Sequence, residues 1–267
     1  MTLSLDFDAA AIAITMANAA RDATLPHFRH LKSIENKKQG AEFDPVTEAD
    51  KAAERAMRAV LQDLRPDDGV FGEEYGRTDG STGWTWIIDP IDGTRAFVAG
   101  LPVWTTLIGL VNADGDSIVG LIDQPLLDER YLGGPDGTRL IGSAGETALS
   151  VSPCEDLRQA VIATTDPFIM TPPEQGAWTH LRHTARIVRY GLDAYAYARL
   201  AAGTIDLVAE AGLAPYDAAA LIPVVRGAGG LACDWRGEPA KPGGQLVCAA
   251  SAAILDQALI SLRRSAT

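Results

Sequence analysis

Two aspartates end an apolar run in Trp86-Ile87-Ile88-Asp89-Pro90-Ile91-Asp92-Gly93-Thr94. A carboxylate beside buried apolar residues needs its charge compensated. A pair of them at the end of a predicted strand suggests a hard divalent cation. The Gly93-Thr94 corner that follows offers backbone N–H groups, which suit a phosphate. Metal-assisted chemistry on a phosphate ester is the reading these residues support.

Other carboxylates extend the pattern. Glu73, in Gly72-Glu73-Glu74, would reach Asp89 and Asp92 if its strand neighbours theirs; otherwise it is a solvated loop residue. Asp217 follows Pro215-Tyr216 and opens an Ala-rich helix, where it serves equally well as a helix N-terminal charge. Asp50 has the same two readings. The set Glu73, Asp89, Asp92 and Asp217 contains no His or Cys. Oxygen-only donors favour Mg²⁺, with Mn²⁺ able to substitute, over zinc. A group of this size fits two or three ions bridged by a substrate phosphate. The HxxH pairs His27/His30 and His180/His183 lack such acidic or Cys partners and read as solvated or interface histidines. Gly133-Gly134-Pro135-Asp136-Gly137 reads as a hairpin turn, and Trp104 and Trp178 as core or interface residues.

These residues must be carried by a substantial core. The chain has 267 residues, 47% of them hydrophobic but only 6% aromatic, with abundant Ala and Gly, so helices pack closely on sheets. A net charge of −12 and a pI near 4.7 argue against a nucleic-acid backbone as partner. No apolar run is long enough for a membrane span. The start, Met1 to Asp6, lacks the basic residues of a signal peptide. Cys154, Cys233 and Cys248 form no CxxC and suit a reduced, cytoplasmic setting as small core residues.

Apolar periodicity predicts a helix over 7–23, with Phe7, Ala10, Ile14 and Ala17 on one face, and a second helix from Thr47, where Thr47 and Asp50 fit a capping box. Strands are expected at 70–71, 84–88, 104–111, 117–122 and 131–132, joined by turns such as Asn112-Ala113-Asp114-Gly115. From about Ser150 the pattern becomes α/β: strands at 160–164, 186–190, 205–210, 230–233 and 246–249, helices at 194–202, 217–225 and 254–262. We expect two intimate halves, 1–150 with most of the metal ligands and 151–267 with the substrate-recognition residues and Asp217. A ligand cleft is expected where they meet.

Asp44-Pro45-Val46-Thr47-Glu48-Ala49-Asp50, Gly72-Glu73-Glu74, Trp86 to Thr94, and Tyr216-Asp217-Ala218-Ala219-Ala220 to Gly229-Gly230 occur in the order and spacing of the inositol monophosphatase-like family. The chain resembles that family from about Phe7 to Leu262. The resemblance implies a layered α-β-α-β-α sandwich of the α/β (α+β) class, Mg²⁺ dependence and a homodimer. It implies that Glu73 binds the first metal and positions the attacking water, that Asp89 bridges two metals, and that Ile91 gives a backbone carbonyl ligand. Asp92 and Asp217 match ligands of a second metal, and Asp50 a residue near a third. Thr94 matches the hydroxyl that helps activate water, and the Gly93 and Thr94 N–H groups match the phosphate cradle. The family often has a Lys upstream; Lys37 and Lys38 compete for that place.

In the family the stretches Arg189 to Tyr197 and Glu210 to Asp217 hold the alcohol part of the substrate. Asp193 and Glu210 would put two carboxylates near the leaving group, which suits a cationic amino alcohol better than a neutral polyol. Asp193 could also cap a helix, Glu210 could face a helix terminus, and Arg189 contacts the substrate or makes an ordinary ion pair. Asp-Gly-Thr-Arg-Ala-Phe with Gly-Leu-Pro-Val-Trp, and Tyr-Gly-Leu-Asp-Ala-Tyr-Ala-Tyr, resemble the histidinol-phosphatase branch. The implied activity is Mg²⁺-dependent hydrolysis of histidinol phosphate. The alternatives are an inositol-1-phosphate or broad sugar-phosphate phosphatase, and a non-catalytic phosphometabolite sensor on the same fold.

Overall fold

The computed structural model describes residues 7–31, 35–36 and 45–267; Lys37 and Lys38 lie outside the described residues. Helix α1 (Ala9–Thr24) is capped by Asp8, which accepts a hydrogen bond from the Ala11 N–H at 2.9 Å. A short ladder of β1 (Glu35–Asn36) and β2 (Pro45–Val46) leads into α2 (Glu48–Leu64). Thr47 caps α2 through the expected box, with Asp50 accepting from the Thr47 N–H at 2.8 Å.

The next strands are β3 (Gly69–Gly72), β4 (Gly76–Thr78), β5 (Thr85–Asp92), then after α3 (Thr94–Val98), β6 (Thr105–Val111), β7 (Ser117–Gln124), β8 (Glu129–Gly134), β9 (Gly137–Gly142) and β10 (Gly145–Ala148). They form one sheet in the order β10-β9-β8-β7-β6-β5-β3-β4, antiparallel except for the β3–β5 pair. The Gly133 to Gly137 segment is the tight β8–β9 turn, with Gly134 paired to Gly137.

The second sheet comes from the rest of the chain: β11 (Val161–Thr164), α4 (Pro172–Thr184), β12 (Ile187–Tyr190), α5 (Tyr195–Ala201), β13 (Leu207–Leu213), α6 (Pro215–Ala218), α7 (Leu221–Gly227), β14 (Leu231–Cys233), β15 (Gly244–Ala249) and α8 (Ala252–Leu262). Its order is β12-β11-β13-β15-β14, with β11 parallel to both its neighbours and the remaining pairs antiparallel. It is mixed because the helical crossovers return β11, β12, β13 and β14 in one direction, while β15, reached directly from β14, runs against them. The single helix expected over 217–225 is two, α6 and α7. Pro223 has no N–H for a bond to residue 219 and its ring would clash there, so helix restarts at Leu221, where Pro is tolerated in the first turn.

Side-chain alternation then builds the layers. Met16, Ala17, Met57 and Leu61 of α1 and α2 pack on Trp86, Ile88, Ile108 and Leu110 of the first sheet. The opposite face of that sheet, through Leu107, Ile122 and Tyr131, meets Tyr197 and Leu200 of α5 and Leu221, Ile222 and Val225 of α7, which also cover Val208 and Cys248 of the second sheet. Leu207 and Val247, pointing the other way, pack under Trp178 and Leu181 of α4 and Ile254 and Leu262 of α8. The result is a layered α-β-α-β-α sandwich. No helix among the described residues is long and apolar enough to cross a membrane.

Three glycines let the middle layer sit close. Gly109, Gly120 and Gly133 pair in register across β6, β7 and β8. A Cβ on Gly120 would lie 2.1 Å from the Ala220 carbonyl oxygen, and one on Gly133 would lie 2.4 Å from Val224 Cα. The row is a furrow into which the α6–α7 backbone settles, and it fixes Asp217 at the start of that segment over the sheet.

Candidate active site

Residues i and i+3 on a regular strand face opposite ways, so Asp89 and Asp92 could not share a site on an ideal β5. The strand is irregular there. Asp89 pairs with Leu107 and Asp92 with Thr105, so one extra residue is inserted between them, and the bulge returns both side chains to one side. Pro90 is tolerated at this point because a bulge interrupts the ladder. Its carbonyl accepts the Thr106 hydroxyl at 2.7 Å, which fixes the bulge from the neighbouring strand.

The parallel β3–β5 register, Gly72 opposite Ile88, brings Glu73 alongside Asp89, and the Glu73 N–H donates to the Ile88 carbonyl at 3.3 Å. That register sets the Glu73 and Asp89 carboxyls close enough to repel each other's charge. Asp217, third residue of α6, accepts the Ala214 N–H at 2.7 Å, so it also serves as the helix-terminal charge. Ligand atoms of Asp89, Asp92 and Asp217 all lie within 4.8 Å of one another, the metal-ligand group found among the described residues. Burial, then repulsion from Glu73, Asp92 and Asp217, holds the Asp89 carboxyl well above the usual carboxylate range. Burial, then Asp193 and Asp217, does the same to Asp92, against the Ala194 N–H that donates to it at 2.7 Å. A compact, mutually repelling, all-oxygen donor set fits a hard divalent cation.

Gly93 lies in the left-handed region at φ 80 and begins α3. The Thr94 hydroxyl donates to the Ile91 carbonyl at 3.1 Å. Asp92, Gly93, Thr94, Asp193, Glu210 and Asp217 line one cavity of about 260 Å³. The two halves of the chain therefore meet at this cavity. Asp193 adopts φ 47, which Asp tolerates, and burial pushes its carboxyl up to about 6, with Arg95 opposing. Glu210 is fully buried on β13 and accepts from the Thr165 N–H at 2.6 Å and the Thr164 hydroxyl at 3.0 Å. Burial still pushes it up to about 7.

Two sequence candidates lie elsewhere. Arg189 is exposed on the edge strand β12, opposite Ala163, and lines neither this cavity nor the one beside it; side chains alternate along a strand, and Tyr190 is the residue that faces that second cavity. Asp50 is buried at the start of α2 and accepts from both the Thr47 N–H and, at 2.6 Å, the Thr47 hydroxyl, outside the three-carboxylate group. The histidines of both HxxH pairs also lie outside that group.

Sequence reasoning passed over Thr165, Tyr197 and Arg95, which line the cavity too. The Tyr197 hydroxyl is buried and meets no protein partner among the described residues. Its place in an Ala-Tyr-Ala-Tyr run gave no sign of which tyrosine would face the site. Arg95 could have been noticed as the cation directly after the phosphate-cradle motif.

A family model described as the inositol monophosphatase family matches residues 7–267. The chain is 40% identical over 232 residues to a chloroplastic bifunctional phosphatase, IMPL2, of Arabidopsis thaliana; the match covers 86% of this chain and 65% of that protein, less than two thirds of its length. It is 36% identical to a histidinol-phosphatase of Mycobacterium tuberculosis over 88% of this chain and 91% of the relative. Its fold is similar to the solved structure of an inositol monophosphatase from Zymomonas mobilis, with TM-score 0.85 and 37% identity over 98% of this chain and 100% of that one.

Proposed function

This chain belongs to the inositol monophosphatase family of phosphatases, and on that premise we propose that it is a Mg²⁺-dependent histidinol-phosphatase, hydrolysing L-histidinol phosphate to L-histidinol and phosphate. The observation that carries this reading is the pair Asp193 and Glu210, lining the same cavity as the clustered carboxylates Asp92 and Asp217. Two carboxylates beside the leaving group are costly for a neutral polyol, whose hydroxyls leave their charge uncompensated. A leaving group that carries an ammonium compensates it through charge-assisted hydrogen bonds. The similarity to a histidinol-phosphatase over most of both chains supports the same substrate.

In this reading Asp89, Asp92 and Asp217 hold the cations with Glu73 and the Ile91 carbonyl. Two or three hard divalent ions held there would neutralise phosphate charge and lower the pKa of bound water. Glu73 orients the attacking water. The Thr94 hydroxyl, whose proton is engaged by the Ile91 carbonyl, turns its lone pairs to that water and receives its hydrogen bond. The N–H groups of Gly93 and Thr94 hold the phosphate oxygens as charge grows on them. Asp193 and Glu210 orient the alcohol, and Asp50 acts from the periphery through the start of α2. Residues 1–150 thus supply most metal ligands, and residues 151–267 supply Asp217 and substrate recognition. We assign the enzyme to histidine biosynthesis, as a cytoplasmic homodimer.

The inositol-1-phosphate alternative has its own support in the similarity to the Zymomonas mobilis protein. Phosphate release from histidinol phosphate and from inositol-1-phosphate, side by side with Mg²⁺ and with EDTA, separates the two. We expect metal-dependent turnover with about 100-fold preference for histidinol phosphate, equivalent to about 2.7 kcal/mol of transition-state discrimination. Equal or reversed preference refutes the substrate assignment.

A further inference from the structure

A second cavity, of about 640 Å³, opens beside the catalytic one and shares Arg95, Thr165 and Asp193 with it. Its wall sets exposed apolar side chains among the charged residues Arg95, Asp166, Arg182 and Asp193. Phe168 is 85% exposed and Leu101 is 52% exposed, and both line it. Tyr190 lines it as well and is braced from behind, its ring edge-on to the buried Trp178 at 6.1 Å. Exposed apolar groups gathered at a concave site mark a place where something binds. Asp166 adds one polar group of fixed direction: its Oδ1 accepts the Phe168 N–H at 2.9 Å, while its other oxygen takes no hydrogen bond among the described residues.

We propose that this second cavity is the subsite for the flat heteroaromatic ring of the leaving alcohol, which lies against Phe168 and Tyr190 and donates a ring N–H to Asp166. The inference rests on the histidinol phosphate reading. The catalytic cavity, at about 260 Å³, takes the phosphate, the cations and the amino-alcohol carbons. Whatever extends beyond the ammonium must pass Asp193, and Asp193 is one of the residues common to both cavities. A ring placed there meets aromatic faces and edges, which attract it beyond area burial alone, and a carboxylate for its N–H. An aliphatic polyol has no ring to set against those faces, so the aromatic part of this gain is lost to it.

The test compares histidinol phosphate with 2-aminopropyl phosphate, the same amino-alcohol ester without its ring, and with inositol-1-phosphate. It uses the Mg²⁺-loaded enzyme and the variants Phe168→Ala and Asp166→Asn. Phe168 is at the surface, and Asn keeps the turn that Asp166 caps, so both variants should fold. The wild-type enzyme should prefer the ring-bearing cation over the ringless one by tenfold or more in kcat/KM. Each variant should lower that ratio about fivefold, through KM rather than kcat. If both cationic esters are hydrolysed equally well, or the ratio moves less than twofold in both variants, the subsite is overturned while the substrate reading stands. If neither cationic ester is preferred over inositol-1-phosphate, the substrate reading fails and this inference fails with it.

Discussion

Glu54 touches no site residue by its own side chain, yet replacing it should disable the metal site. It is fully buried on α2, one helical turn after Asp50. Its carboxylate accepts the Glu74 N–H at 2.6 Å, the Tyr75 N–H at 3.2 Å and the Arg58 Nε at 2.8 Å. Gly72 has no side chain to spare here, since a Cβ would lie 2.1 Å from the Glu54 carboxylate. The turn immediately after Glu73 is therefore fastened to α2 through one acid. Glu54→Gln keeps the shape but sets an NH2 group against an N–H. With the amide oxygen at the Oε1 position, the Tyr75 and Arg58 bonds survive and the Glu74 bond is lost. An unsatisfied buried donor of that kind costs about 1–3 kcal/mol. Glu54→Ala loses all three bonds and breaks a buried pair, about 3–5 kcal/mol. Urea unfolding measures those losses. Mg²⁺ titration followed by isothermal calorimetry, with kcat/KM, measures what happens at Glu73: we expect tenfold weaker binding or more for Glu54→Gln. Lower stability with metal affinity and kcat/KM within twofold of wild type would show that Glu73 is held by other means, and the reasoning would be wrong.

Glu210 should leave a pH signature. Its carboxyl is raised from 4.5 to about 7 in the fold, so between those values the native state binds more protons than the unfolded chain and stability falls as pH rises. The loss is about 3 kcal/mol over that window. Metal-free unfolding at pH 4.5 and 7.5 should show a correspondingly smaller fall for Glu210→Gln, and equal falls would refute the shift. Gly120→Ala must displace the Ala220 carbonyl, 2.1 Å from the new Cβ; we expect a loss of about 1–3 kcal/mol and a drop in kcat, because Asp217 moves with that segment. Unchanged kcat in a folded Gly120→Ala enzyme would mean that the furrow does not set the position of Asp217. Asp193→Asn keeps the left-handed backbone and removes the charge; hydrolysis of histidinol phosphate should fall about 100-fold relative to inositol-1-phosphate, and a parallel fall for both esters would refute the cation reading.

Much of this was legible in the chain, and the exceptions have physical causes. The box of Thr47 and Asp50 fixed the start of α2 because capping is local chemistry that sequence spacing expresses directly. The helix Pro172–Thr184 was passed over: its buried apolar face is little more than Ala177, Trp178 and Leu181, too few to raise a periodic signal. β4, β9 and β10 escaped for a related reason. β10 is exposed along its whole length, so no alternation marks it. The mutual approach of Glu73 to Asp89 depended on a parallel strand pairing, which no local pattern announces. Arg189 was a candidate by sequence position alone, and one residue of strand alternation sends it away from the cavity that Tyr190 faces.

The turn around Asp193 explains how specificity and catalysis can share one segment without conflict. Its backbone serves the metal side: the Ala194 N–H donates to Asp92 at 2.7 Å, and the Gly191 N–H ties the turn to the Thr165 carbonyl at 2.9 Å. Thr165 in turn donates its own N–H to Glu210. The side chain of Asp193 serves the alcohol side and packs closely over Gly93, where a Cβ would lie 3.0 Å from Asp193 Oδ2. A main-chain N–H is indifferent to which side chain precedes it. Exchanging Asp193 for glycine, which tolerates φ 47, should therefore change which alcohol is accepted while leaving the hydrogen bond to Asp92 in place. Gly93 has no such freedom, because it must keep both φ 80 and its missing side chain. Gly93→Ala should lose activity toward every ester tested, whereas Asp193→Gly should lose the cationic ones and retain inositol-1-phosphate.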